Sequence, residues 1–377
     1  MFSYLRYFGT HVLILATALG LFAGGSWYWL GLVLGFLVWV GGDALSPALS
    51  SETKYKHPLI LDFALYSLFP SLVLMVVAFA WAVSPGDLFG LGAWISSSVN
   101  QDILAAKSES SLIHYFGACL SFGLAMAMGG ILTAHELGHR TNDRAAMWTA
   151  RWMLAMAFNA SLEVAHVFGH HREVGTPLDP ATARRGENIY RFYVRSTVGQ
   201  FFQAWRIEKE RLQSVHGLQF LHQNKLVRGG IRSVTIATLF FLAGGWFALG
   251  CFLLASMWNK FLLESLNYAE HYGLVRVPET PIEPRHAWDS TSRFSHAALF
   301  NLPWHADHHS RIGVHYPDLK QSDAPLLPCG YLASLPIIWV PLIWRYVIDP
   351  RIDDWDADKA SAGELDIIER SRTALSN

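Results

Sequence analysis

The sequence predicts an all-α fold: a six-helix transmembrane bundle with a helical cytoplasmic cap that carries a histidine-rich metal site. Three observations lead there. The composition is 52% apolar and only 16% charged over 377 residues, with 15 Trp and a positive mean hydropathy, far from an ordinary soluble enzyme. Long stretches carry no formal charge. Of the 17 histidines, nine fall into clusters with helical spacing. Three cysteines, Cys119, Cys251 and Cys329, lie too far apart for a CxxC or a disulfide framework. The net charge of -1 gives no footprint for nucleic acid, and none is expected as a partner.

From Arg6 to Asp43 there is no charge between the two end residues, and Gly24-Gly25-Ser26 is the natural turn, so a hairpin of spans at about 8–24 and 27–43 is predicted. Ala16-Thr17-Ala18 resembles a signal-peptidase site, but apolar residues run straight past it and an uncleaved anchor is expected. Further spans follow at about 63–84 and 112–134, each near the ~20 residues a crossing needs. The last of these leads into His135. Residues 231–268 are long enough for two short crossings, 231–245 and 247–268, with Gly244-Gly245 as the break. Two crossings return the chain to the side of His135. The apolar stretch 324–344 holds Pro325, Pro328, Pro336 and Pro341, so an interfacial or re-entrant element is expected there rather than a span. The polar tail 351–377 is expected to add little.

Lys54 and Lys56 lie between spans two and three, whereas the loop 87–109 carries Asp87, Asp102 and Glu109 against Lys107. The positive-inside rule then places the N-terminus and the first of these loops in the cytoplasm, with the whole chain a multi-pass protein of a bacterial-type inner membrane. Residues 136–232 fit a cytoplasmic location too, with 14 Lys and Arg against 8 Asp and Glu. We read 135–230 and 270–350 as one cap. Its surplus of basic residues, including Arg172, Arg184, Arg185, Arg191, Arg195, Lys209 and Arg211, suits either an acidic protein carrier or anionic lipid headgroups.

The candidate ligands are His135 and His139; His166, His170 and His171; His271; and His305, His308 and His309. Separations of three or four residues stack imidazoles on one helix face, where they can converge on a metal. HELGH at 135–139 also matches the H-E-x-x-H zinc-protease motif. That reading needs a third ligand and leaves six clustered histidines unexplained. A metal transporter would place histidines along the spans rather than at one end. Nine imidazoles suit two metals of four or five ligands each. Glu136, Glu270 and Asp307 are carboxylates that could accept a ligand N–H, and Asn267, one turn before His271, could orient a metal-bound water. His286, His296 and His315 lack paired spacing and are left outside the ligand set.

At these residues, HELGH, then HVFGHH followed by TPLDPATARRGENIYRF, then NYAEHYG and HADHH, the chain resembles the integral membrane alkane hydroxylases and xylene monooxygenases, relatives of membrane fatty acid desaturases. The resemblance covers about 110–350, and NYAEHYG is its most specific part. It implies a non-haem diiron monooxygenase with the nine histidines as ligands of two Fe ions, and electrons from a rubredoxin or ferredoxin-type partner with its reductase. The implied substrate is an apolar small molecule, an alkane hydroxylated at its terminal methyl, reached from membrane lipid. Pro303-Trp304 stands where many alkane hydroxylases have Gln-Arg, and TPLD leans toward the xylene enzymes, so a methyl-aromatic substrate is the first alternative and a fatty acyl desaturase or hydroxylase the second. The chemistry agrees: an unactivated C–H bond offers no proton to a base and no carbonyl to a nucleophile, so it requires an oxidant that a redox metal makes from O2. No haem CxxCH, rubredoxin cysteines or nucleotide fingerprint occurs, so the electrons must come from another protein.

Overall fold

The computed structural model describes residues 2–49 and 55–376, and those residues are helical with no β-strand among them. They divide into two compact units. The first comprises Met1–Trp39, Tyr55–Glu163 and Ser214–Leu262; the second comprises Val40–Lys54, Val164–Gln213 and Leu263–Asn377.

Among the described residues, five helices are long and apolar enough to cross a membrane: Arg6–Ala23, Gly25–Ala44, Pro58–Val83, Leu112–Gly138 and Lys225–His271. The turn between the first two falls at Gly24, whose φ of 77° is a conformation that only glycine adopts without strain. Leu112–Gly138 is the central helix of the first unit, with 83% of its apolar window buried against 22 to 44% for the other four. Close approach explains part of this: a Cβ at Gly123 would sit 2.7 Å from the Ala255 carbonyl oxygen. In the same helix Met126–Ile131 is a π-helical turn, just before His135. In the loop 87–109 Asp87 accepts the Gly92 and Ala93 amides at 2.6 and 2.9 Å, starting the short helix Leu91–Val99.

The fifth helix spans 47 residues, which would make a straight rod about 70 Å long, more than twice a hydrocarbon core of about 30 Å. It is not straight. Gly244 (φ -157°, ψ 26°) and Gly245 (φ 64°, ψ -152°) leave the helical region, at the break the sequence predicts. The arms are 225–243 and 246–271, and the second continues beyond Leu262 into the second unit.

In the second unit the proline-rich stretch forms two helices, Tyr331–Ile338 and Pro341–Asp358, with Pro336 inside the first and Pro341 opening the second. The C-terminal segment, expected from its composition to be a polar tail, is helical as well: Ala362–Ser376 follows directly, and its Glu364 is buried. Asp43 is a buried anchor, accepting hydrogen bonds from the Ser292 and Ser295 hydroxyls and, at 2.8 Å, from the Ala333 amide. Four of the seven basic residues named above are tied to carboxylates here: Arg185 to Asp356, Arg195 to Glu187, Arg211 to Glu208 and Arg172 to Glu173. Their charge is therefore largely answered within the unit.

Candidate metal centre

Seven of the nine predicted ligands lie in the second unit, and their ring nitrogens form two groups. His170, His271, His305 and His309 make one, and His166, His171 and His308 belong to the other, with ligand atoms within 4.8 Å of one another in each. The remaining pair, His135 and His139, lies in the first unit at the end of the central helix, with ring centroids 5.1 Å apart.

The division follows from backbone geometry. Ala165–His170 is a π-helical turn, in which residues five apart come into line. His166 and His171 therefore face each other, Nε2 to Nε2 at 3.0 Å, while His170 points into the other group. An α-helix would instead have paired His166 with His170, which is what the sequence spacing suggests. Helix His305–Ser310 keeps α-helical pitch, so His305 and His309 share a group and His308 goes to the other.

In the four-histidine group the outer nitrogens have assigned work. Asp179 Oδ2 lies 2.8 Å from His170 Nδ1, and the His286 carbonyl lies 3.2 Å from His271 Nδ1. Nδ1 must donate in both, so in the neutral ring it is Nε2 that presents a lone pair. His170 Nε2 is buried with no hydrogen-bond partner among the described residues. His271 Nε2 faces His305 Nε2 at 3.0 Å, and His309 Nε2 lies 3.1 Å from that same atom. One proton on His305 could satisfy only one neighbour. Burial, and then His171, His305, His170 and His271, push the His309 imidazole well below its ordinary pKa, so it too is neutral. This donor set fits a metal ion.

Carboxylates surround the group. Burial opposes ionisation of Asp179, but His170, the Thr182 hydroxyl and the Ala181 amide outweigh it and hold the carboxyl below its usual range. Asp289 accepts the Ala306 amide at 2.8 Å and so fixes the start of helix His305–Ser310. Glu270 places Oε2 3.4 Å from His305 Nε2. Of the other residues picked from sequence, Asn267 donates to Glu264 at 3.3 Å, Glu136 pairs with Arg140 at 3.4 Å, and Asp307 is clamped by Arg311 and the Lys320 amide. Glu264 is fully buried and accepts from Ser196 and Gln200 at 2.7 and 2.8 Å. Asp179, Asp289, Glu264 and Glu364 were not singled out in the sequence. Only Asp179 had a local signal, the turn-forming Asp-Pro in TPLDPAT directly after the second histidine cluster.

His286 is held in turn from the C-terminus. Its Nδ1 accepts the Glu283 amide at 3.0 Å, so Nε2 carries the proton and donates to Glu364 Oε1 at 2.7 Å. Trp355 Nε1 donates to the Arg285 carbonyl at 2.7 Å. Thus the C-terminal helices brace the segment whose carbonyl orients His271.

Comparison with known proteins adds the following. A family described as fatty acid desaturase matches residues 110–340. Alkane 1-monooxygenase of Ectopseudomonas oleovorans is 34% identical over 66% of this chain and 62% of its own length, so the chain matches less than two thirds of that relative. Alkane 1-monooxygenase 1 of Alcanivorax borkumensis is 30% identical over 87% of this chain and 76% of its own length. The xylene/toluene monooxygenase hydroxylase component of Pseudomonas putida is 28% identical, but over 96% of this chain and 93% of its own length.

Proposed function

The chain belongs to the desaturase-related family that includes the alkane 1-monooxygenases, and from that premise we propose that it is a membrane-bound non-haem diiron monooxygenase hydroxylating the terminal methyl group of alkanes. The observation that carries this is the buried set of imidazoles with converging Nε2 atoms. His135, His139, His166, His170, His171, His271, His305, His308 and His309 would hold two iron ions. When bound, the irons supply the redox chemistry that inserts one atom of O2 into a C–H bond and reduces the other to water with two electrons and two protons.

The number of imidazoles supports two such ions over a closed zinc site, which takes four ligands, because two groups of histidines would hold two metals and leave room for oxygen. The protein's own contribution is orientation and dryness. Asp179 fixes the His170 tautomer, and the His286 carbonyl does the same for His271. Burial keeps water from the imidazoles, and Glu270 is placed where it can hold a proton beside His305.

Electrons come from a rubredoxin or ferredoxin-type carrier with its reductase, and the site faces the cytoplasm of a bacterial-type inner membrane. One observation favours a second reading within the same chemistry. The xylene/toluene component matches nearly end to end, so methyl-aromatics are the alternative substrate. Reconstituted enzyme given octane, xylene and a fatty acyl substrate in competition separates the readings. The proposal expects 1-octanol as the main product; dominant internal alcohols, methyl-aromatic alcohols or desaturated acyl chains would each replace it.

A further inference from the structure

Helix Ile189–Arg211 is built inside out. Its buried face is largely polar: beside Ile189, Phe192 and Ala204, it carries Ser196, Gln200, Gln203 and Glu208, all 4% exposed or less, and Ser196 and Gln200 hold the buried Glu264 carboxylate. Its exposed face is apolar, with Val194 61%, Val198 50%, Phe201 49% and Phe202 63% exposed. With Tyr190 and Trp205, also exposed, these residues recur at helical spacing and form one stripe along the helix. Water would favour the opposite arrangement, since burying each such side chain is worth roughly 1.5–3 kcal/mol.

We infer that this stripe lies in the lipid bilayer interface, so that the second unit, most of which is read from sequence as a cytoplasmic cap, is itself seated on the membrane. The inference rests on the membrane location and not on the substrate. Three features select lipid as the occupant. The charge-free run 196–205 is ten residues, half of the ~20 a crossing needs, so the helix can lie in the interface but cannot span it. Tyr190 and Trp205 lie toward its ends, the aromatic types that prefer the headgroup boundary, and exposed Arg191, Arg206 and Lys209 flank the stripe where lipid phosphates would meet them. The patch also continues into a second element. Tyr190 Oη donates to the Trp339 carbonyl at 2.8 Å, which brings the start of the stripe beside Val340, Leu342, Ile343 and Tyr346, with Leu342 81% exposed. Seated this way, the unit that carries seven of the histidines lies at the level where an apolar substrate is dissolved.

The test uses the full chain in nanodiscs containing phosphatidylglycerol. Cys119→Ala, Cys251→Ala and Cys329→Ser remove the native thiols, and a nitroxide is attached through Val194→Cys, Val198→Cys or Phe202→Cys. Collision with O2, which partitions into lipid, should exceed collision with a water-soluble nickel chelate several-fold at all three positions. Nickel collision exceeding O2 overturns the proposal in favour of a solvated face. Low collision with both overturns it in favour of a protein cover, such as a second copy. The unmodified protein gives an independent measurement: a photoactivatable phospholipid should leave adducts on 190–205 and 340–346. Adducts confined to the long apolar helices would also overturn it.

Discussion

His170 and Asp179 form a fully enclosed imidazole–carboxylate pair, Nδ1 to Oδ2 at 2.8 Å, nine residues apart in sequence. The pair decides which nitrogen of His170 faces its neighbours. Asp179→Ala should lower metal affinity or turnover roughly 10- to 100-fold while leaving the helical content intact. Iron analysis beside circular dichroism checks this, and wild-type iron content with wild-type turnover would dismiss the orienting role.

Metal content is the second expectation. Purified protein should hold close to two irons per chain, and His171→Ala or His309→Ala should lower that figure and abolish turnover, whereas His57→Ala, at an exposed position, should do neither. Removing the metal with a chelator should lower Tm, because an ion bound only by the folded chain stabilises it, and ferrous iron should restore it. One zinc and no iron would sink the diiron reading.

The π-helical turn offers a sharper test. Inserting one alanine after Val167 moves His166 from five to six residues before His171 and rotates it by about 100° relative to His170 and His171. Iron should fall while Val167→Ala retains it, and melting curves should show that both variants fold. Full iron in the insertion variant would mean that the turn does not set the ligand grouping.

Glu364 links the C-terminus to the site through His286. Burial acts against its ionisation, but the Ser361 amide and hydroxyl together with His286 hold its carboxyl below the ordinary value of 4.5. A depressed carboxyl pKa means that the unfolded chain binds more protons near and below that value, so the stabilisation is present at neutral pH and is lost as pH falls through the folded-state pKa. Glu364→Ala should cost roughly 1–3 kcal/mol at pH 7. The difference from wild type should shrink in acid, from pH 4.5 downward. Because the His286 carbonyl orients His271, the same variant should alter the iron spectrum, and Glu364→Gln, which can still accept from His286, should restore it. A pH-independent deficit would point to packing alone.

Much of this protein is legible in one dimension. Charge-free runs set the long apolar helices because a bilayer offers no partner for charge or for open backbone, and Gly244-Gly245 marks the break in the last because few other residues tolerate φ near 64°. Histidine type and density point to metal chemistry for a similar reason: imidazole can ligate a metal whatever the fold.

What tertiary structure alone decided is how those ligands are shared. The sequence shows His166, His170 and His171 as one cluster, but a π turn pairs the first with the third and sends the second elsewhere. Nothing local announces that choice. The partners that orient the ligands are equally hidden, since Glu364 meets His286 across 78 residues and Glu264 meets Ser196 across 68. The stripe on Ile189–Arg211 was obscured by its own charges. Counting basic residues suggests a solvated helix, and only knowing which side packs inward reveals that the polar face is the buried one. Composition and spacing record what a side chain can do, whereas pairing depends on which distant segments the packed core brings together.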